Sequence, residues 1–142
     1  MLSFDLADQL YIANTIANAS ASTADASTLD GTGIDIGEIS GTVLVRIDAA
    51  AASSGETMTF TVEHSYDNSS FTAVSASALV TPGTGAAGTF TVNTASVAVN
   101  ETLALKRDLL RRYIRVKGTA AGNGTPTYIV NALVMGIKKY DS

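Results

Sequence analysis

Thr57-Met58-Thr59-Phe60-Thr61-Val62-Glu63-His64-Ser65-Tyr66-Asp67-Asn68-Ser69-Ser70-Phe71-Thr72-Ala73-Val74 reads as a β-hairpin. Met58, Phe60, Val62, His64 and Tyr66 share one parity, while Thr59, Thr61, Glu63 and Ser65 take the other. That period of two marks a half-buried strand, because successive side chains leave opposite faces of the pleat. Asp67-Asn68-Ser69-Ser70 supplies turn chemistry, since Asp and Asn bond their own backbone and tolerate left-handed geometry. Phe71 restarts an apolar pattern, so a loop of about four residues is expected.

The same reading extends in both directions. Ile34-Asp35-Ile36-Gly37 is a short strand, and Thr42 to Asp48 alternates with Val43, Val45 and Ile47 inward and Arg46 and Asp48 outward. Ala73 to Val80 completes the hairpin, and Thr89 to Asn93 forms a further strand. Arg111 to Gly118 is a strand with Ile114 and Val116 inward. Thr127 to Ile137 is apolar on both parities, which places it centrally in a sheet or under a partner. Ser96 to Leu110 fits either an amphipathic helical turn or a bent loop. Ala49 to Gly55 and the Pro82-containing segment from Thr81 to Gly88 are expected loops. About eight short strands between small-residue turns predict an all-β, jelly-roll-like antiparallel β-sandwich.

Residues 1–30 differ from the rest. Ala17 to Ser27 is almost entirely Ala, Ser, Thr and Asn, too small-sided to build a core alone. Such a segment is either disordered or ordered by docking on something else. The expected organisation is therefore an extended N-terminal arm, residues 1–30, followed by a sandwich domain, residues 31–142.

Composition narrows the function classes. The chain has 142 residues, enough for one domain with a core, and only 15% are charged. About a quarter is usual, so this Thr-rich, weakly charged surface suits packing against other protein. Cysteine is absent and histidine occurs once, which disfavours a disulfide framework or a zinc site. No apolar run approaches the ~18 residues of a membrane span, and the leading residues have no basic n-region. Residues 1–100 hold ten acids against Arg46 alone, whereas residues 101–142 hold eight bases against three acids. The two halves either neutralise each other side by side or present opposite patches to neighbouring copies or a partner.

Chemistry for catalysis is thin. His64 shares parity with Phe60 and Val62 and reads as a strand residue. No nucleophile elbow accompanies it. Asp30-Gly31-Thr32-Gly33-Ile34-Asp35 has too few oxygen ligands for a calcium loop and reads as a turn. Glu56, Glu63 and Asp67 have no spacing that demands a glycosidase pair. Arg111, Tyr113, Arg115 and Lys117 form an outward cationic face. The acidic remainder of the chain favours an acidic protein surface over nucleic acid as its partner.

Three stretches resemble capsid decoration (cement) proteins of tailed bacteriophages, small jelly-roll proteins of the virion exterior. They are the leading segment from Ala7-Asp8-Gln9 through Ser27-Thr28-Leu29 to Ile34-Asp35-Ile36-Gly37, the hairpin Phe60 to Phe71, and Arg112-Tyr113-Ile114-Arg115-Val116 with the apolar final strand. The resemblance implies a structural, non-enzymatic protein made in the host cytoplasm. It would bind the outer capsid surface and bridge major capsid subunits. It would also contact itself as a trimer or dimer on capsid symmetry axes, without cofactor, metal, nucleic acid or membrane. Leu10, Tyr11 and Ile12 are then the expected arm anchors, and Arg111, Arg112 and Arg115 the polar contacts. The alternative is a glycan- or receptor-binding β-sandwich module exposed on a virion, with Tyr66, Phe71, Tyr113 and Tyr128 as stacking candidates.

Overall fold

The computed structural model describes residues 9–22, 28–50, 57–80, 89–93, 99–121 and 127–139. Among the described residues ten strands follow in order: β1 (Leu10–Ser22), β2 (Thr28–Asp30), β3 (Ile34–Asp35), β4 (Ile39–Ala50), β5 (Thr57–Ser65), β6 (Thr72–Ala73), β7 (Thr89–Asn93), β8 (Val99–Lys106), β9 (Tyr113–Ala121) and β10 (Thr127–Lys138). Short 3-10 turns occupy Ala76–Ala78 and Arg107–Leu109. One sheet runs β1-β10-β4-β8. The second runs β2-β9-β5-β6, with β3 also on β9 and β7 also on β5. Every pairing is antiparallel.

The order is that of a jelly roll, a long hairpin rolled upon itself. The first strand pairs the last (β1 with β10), β2 and β3 pair β9, β4 pairs β8, and β5 pairs β6 and β7. Successive pairs alternate between the two sheets. Rolling then adds the β10–β4 and β9–β5 contacts that complete each sheet. The expected all-β jelly-roll-like sandwich is what the chain forms.

The core lies between the sheets and follows the period of two. Val43, Val45 and Ile47 of β4, Leu103 and Leu105 of β8, and Val130, Ala132 and Val134 of β10 face Met58, Phe60 and Val62 of β5 and Ile114, Val116 and Ala120 of β9. Burying such side chains contributes roughly 1.5–3 kcal/mol each. Gly118 stands opposite Phe60 across β9 and β5, and a Cβ there would press on the Phe60 ring and on Met58 Sδ, 2.9 Å away.

The hairpin is present but shaped by one side chain. The Asp67 carboxylate accepts hydrogen bonds from Ser69 N (2.9 Å), Ser70 N (2.8 Å) and Ser65 Oγ (2.7 Å). These bonds hold the acid well below the ordinary carboxylate range. Asn68 takes the left-handed conformation at φ 59°. The loop therefore runs from Tyr66 to Phe71, longer than the four residues expected, and β6 is only two residues long. Val74 N still bonds Val62 O, after which the chain leaves the sheet through the 3-10 turn at Ala76–Ala78 instead of continuing as a strand to Val80.

Residues 99–106, ambiguous in sequence, form β8, and the turn falls at Arg107–Leu109. There Arg107 donates to Ile36 O (3.0 Å) and Leu110 O (3.1 Å), tying the bend to the opposite sheet. Of the loop expected from Ala49 to Gly55, Ala49 and Ala50 instead end β4, paired with Val130 and Ile129; residues 51–55 and the expected loop at 81–88 lie outside the described residues.

The described part of the segment assigned to an arm is sheet. β1 runs along β10 from the Leu10–Ile137 pair to the Ser22–Thr127 pair, and β2 lies on β9. The small-residue stretch as far as Ser22 is thus ordered by docking, and its dock is the last strand of its own chain. Leu10–Ser22 and Thr28–Asp30 are thus strands of the two sheets.

A break in β1 carries a link between the sheets. Register shifts flank Ile16 in the β1–β10 ladder, and Thr15 has no partner there. Thr15 instead turns into the interior, its Oγ1 donating to Thr32 O at 2.8 Å and accepting from Val116 N at 3.1 Å. Gly31 N bonds Val116 O, while β2 ends at Asp30 and β3 starts at Ile34. The Thr15 hydroxyl thus occupies the place on β9 that a continuous strand would fill. A side chain at Gly31 would collide with this hydroxyl.

Candidate interaction surfaces

The outer face of the β9–β5 sheet carries the basic strand. Arg115 and Glu63 stand opposite each other in register, with Arg115 Nη2 and Nε both 2.8 Å from Glu63 Oε2. Asp30 approaches the same guanidinium at 3.5 Å, and the Phe71 ring lies beneath it at 4.2 Å. The Arg115 and Glu63 side chains are only 19% and 13% exposed, so this is an internal staple that fastens the hairpin loop to β9. Lys117 reaches Asp30 at 3.9 Å. Arg112 grips Asp35 at 2.8 Å, and that hydrogen bond, helped by Gly37 N, lowers the Asp35 pKa.

The charge asymmetry of the chain is resolved in part within the domain, where Asp30, Asp35 and Glu63 pair with Arg112, Arg115 and Lys117. Acids of β2, β3 and β5 neutralise bases of β9 and its approach. Arg111 instead stacks on Tyr66 at 4.7 Å, out on the loop. The His64 Nδ1 accepts from Arg111 N at 3.3 Å, and burial, reinforced by the Arg111 charge, pushes its pKa down. His64 acts as a neutral backbone acceptor at the end of β5.

Three of the proposed stacking aromatics already hold arginines. Tyr66 lies under Arg111, Tyr113 under Arg112 at 5.3 Å, and Phe71 under Arg115. Each has one ring face engaged by a guanidinium. The side chain of Tyr128 lies outside the described residues. Asp30 and Asp35, weighed above as calcium ligands, turn to different arginines and do not converge.

The other sheet has a different outer face. Register places Ile12, Met135, Leu44 and Ala104 in one row across all four strands. Leu10 and Ile137 form the row on one side of it. On the other side lie Asn14, Leu133, Arg46 and Thr102. Ile12 is 55% exposed, and Leu10 and Ile137 about 40% each. Between β1, β10 and the Ser40–Thr42 segment runs an apolar groove of about 520 Å³, floored by Leu44, Met135 and Gly136. Beyond Leu133 the face turns polar, with Arg46 held by Asp48 at 3.1 Å and by Thr102 and Asn100.

Of the six residues singled out from sequence, Leu10 and Ile12 lie on this apolar face. Tyr11 points the other way, its hydroxyl donating to Asp35 O at 3.1 Å, and burial raises its pKa. Arg111 and Arg112 sit at the accessible entry to β9, whereas Arg115 is committed to Glu63. Leu44, Met135 and Ile137 were not singled out. Their signal was the apolar run on both parities of Thr127–Ile137 and the unexplained outward parity of Leu44.

These features define a class: a small antiparallel jelly-roll sandwich with one apolar and one ion-paired outer face. No protein-family model matches the chain, and no curated protein matches it. Solved structures of VP2 of infectious bursal disease virus do. A mutant VP2 in derived T=1 particles superposes with a TM-score of 0.54 at 11% identity, covering 91% of this chain and 32% of that one. A VP2 subviral particle gives 0.56 at 9% identity, covering 92% and 33%. VP2 of the Gx strain gives 0.52 at 12% identity, covering 90% and 32%. The chain spans about a third of the length of the VP2 chains it matches. At such identity the likeness is one of fold.

Proposed function

We propose that this chain is a structural virion protein, a decoration or cement protein that binds the capsid exterior, bridges major capsid subunits and associates with itself. The observation that carries the reading is the jelly-roll likeness over nearly the whole chain to VP2 chains found in particles. The apolar outer face agrees with it. Contiguous exposed apolar side chains rimmed by polar ones mark protein contact sites. Leu10, Ile12, Arg111 and Arg112 are the accessible contacts, while Tyr11 and Arg115 serve by holding those neighbours in place.

Mixing purified protein with undecorated capsids of a tailed phage and sedimenting the particles tests this. Saturable co-sedimentation and a raised disruption temperature of the decorated particles are expected. Protein that stays in the supernatant at every concentration would end the cement reading. Glycan binding by that same protein would transfer support to the receptor-binding alternative.

A further inference from the structure

The outer face of the β1-β10-β4-β8 sheet carries a knob and a groove side by side. Ile12, 55% exposed, stands on the outermost strand and outside the groove lining. Next to it the groove of about 520 Å³ runs over Leu44, Met135 and Gly136. One wall is left bare by an irregularity of β4. Gly41 and Thr42 go unmatched by β10, Gly41 takes a left-handed φ of 73°, and a Cβ on it would meet only open space.

The size of the whole face limits what covers it. Beyond the row of Leu133 and Arg46, register adds a fourth outward row of Asn131, Asp48 and Asn100. Rows about 7 Å apart on four strands about 4.8 Å apart give a footprint of roughly 28 Å by 19 Å, on the order of 500 Å². Two such faces bury about 1,000 Å² together, the lower bound of a specific protein interface and enough for a reversible one. A ligand confined to the groove would leave Ile12 and most of the face uncovered.

Charge then selects the partner. Among the described residues, the ionised side chains of these four rows are Arg46, Asp48 and Lys106. Arg46 and Asp48 cancel at 3.1 Å, and Thr102 and Asn100 hold the same guanidinium. Lys106 sits at the corner on β8, with its amine turned to Ser77 O. A charged partner finds little here to pair with. A second identical face brings apolar surface and no strong like-charge repulsion.

We infer that two copies of this chain pack through this face as a two-fold dimer, Ile12 of each seated in the groove of the other over Leu44 and Met135. Sheets meeting in this way lie about 10 Å apart. A two-fold axis in the plane of the interface, between knob and groove, makes both contacts at once, so the surface is complementary to itself. The inference rests on the self-association in the reading above and names its surface.

Light scattering after size exclusion, over a range of loading concentrations, tests this on the full chain. Wild type should rise towards twice the mass of one chain and no further. Ile12→Lys and Leu44→Glu should each weaken association at least about tenfold, the scale of a central interface contact. Far-UV circular dichroism checks folding, and Met135→Glu substitutes if Leu44→Glu misfolds. Mixed in equal amounts, the two variants should regain the dimer, because one contact then joins the introduced ammonium to the introduced carboxylate and the other is native. A wild type monomeric at every concentration overturns the inference, as it would be if another part of the same chain filled the groove. So does a mass beyond two chains, a dimer indifferent to Ile12→Lys, or a mixture that stays monomeric. Capsid co-sedimentation is a separate readout: a monomer that still binds capsids ends the dimer and leaves the cement reading standing.

Discussion

Thr15→Val replaces one hydroxyl by a methyl and should cost far more than its size suggests. The Thr15 side chain is buried, and its hydroxyl serves two backbone groups on different segments, Thr32 O at 2.8 Å and Val116 N at 3.1 Å. Val keeps the shape but leaves both without that partner. Val116 O bonds Gly31 N, and a strand residue directs its N–H and C=O to the same side, so Val116 N points away from β5 toward the gap between β2 and β3. Only the Thr15 oxygen fills that place among the described residues. Leaving a buried donor or acceptor unpaired costs about 1–3 kcal/mol each.

The Val116 amide is the more enclosed of the two, because Thr32 is exposed and water can reach its carbonyl. The expected loss is therefore about 2–4 kcal/mol, the upper part reached only if both groups stay dry. For a chain of this length roughly 3 °C is lost per kcal/mol, so the melting temperature should fall by about 6–12 °C. Urea unfolding followed by tyrosine fluorescence and circular dichroism measures it, since the chain has no Trp. Thr15→Ser keeps the oxygen and should lose under ~1.5 kcal/mol, the usual scale for removing one methyl group. Amide exchange at Val116 should accelerate in the Val variant and not in the Ser variant. If Val proves as stable as wild type and Ser is the weaker protein, the methyl packs and the hydroxyl link is irrelevant.

Three further outcomes follow from the same geometry. Glu63→Gln should destabilise by about 1–2 kcal/mol, less than a fully buried pair because Arg115 keeps Asp30 and the Phe71 ring; a Glu63/Arg115 double-mutant cycle measures the coupling. His64 has a folded pKa below its ordinary 6.5, so between the two values the unfolded chain binds more protons. Stability should thus fall as pH drops from about 6.5 through the folded pKa and then level off; His64→Asn, which keeps an acceptor near Arg111 N, should flatten that slope in urea titrations. Gly118→Val should overpack the contact with Phe60 and Met58 and cost about 1–3 kcal/mol by the same unfolding assay.

What the sequence disclosed and what it withheld divide along one physical line. Alternation is local, so the inward sets Val43-Val45-Ile47, Met58-Phe60-Val62 and Ile114-Val116 were readable from short windows, and all are buried. The central position of the last strand was readable for the same reason, and β10 does lie between β1 and β4. Partners are not local. Nothing near Arg115 names Glu63 as the residue opposite it, because that depends on the register of β5 against β9. The basic stretch consequently read as a free cationic face when much of it is an internal staple.

The described part of residues 1–30, expected as an arm, lies in sheet for a related reason. Small side chains cannot build a core alone, but β1 needs only one flank, and β10 supplies it from the far end of the chain. The same ambiguity attends a strand that is apolar on both sides. Its inner parity was bound to be core, whereas the outer parity waits on what lies opposite. Here Ile12, Leu44 and Ala104 complete the Met135 row, and the row opens onto a groove. An apolar outward row surviving on a chain so poor in charge is the kind of surface that association would cover. It is therefore the face, and not the basic strand, whose substitution should most alter how this protein meets its neighbours.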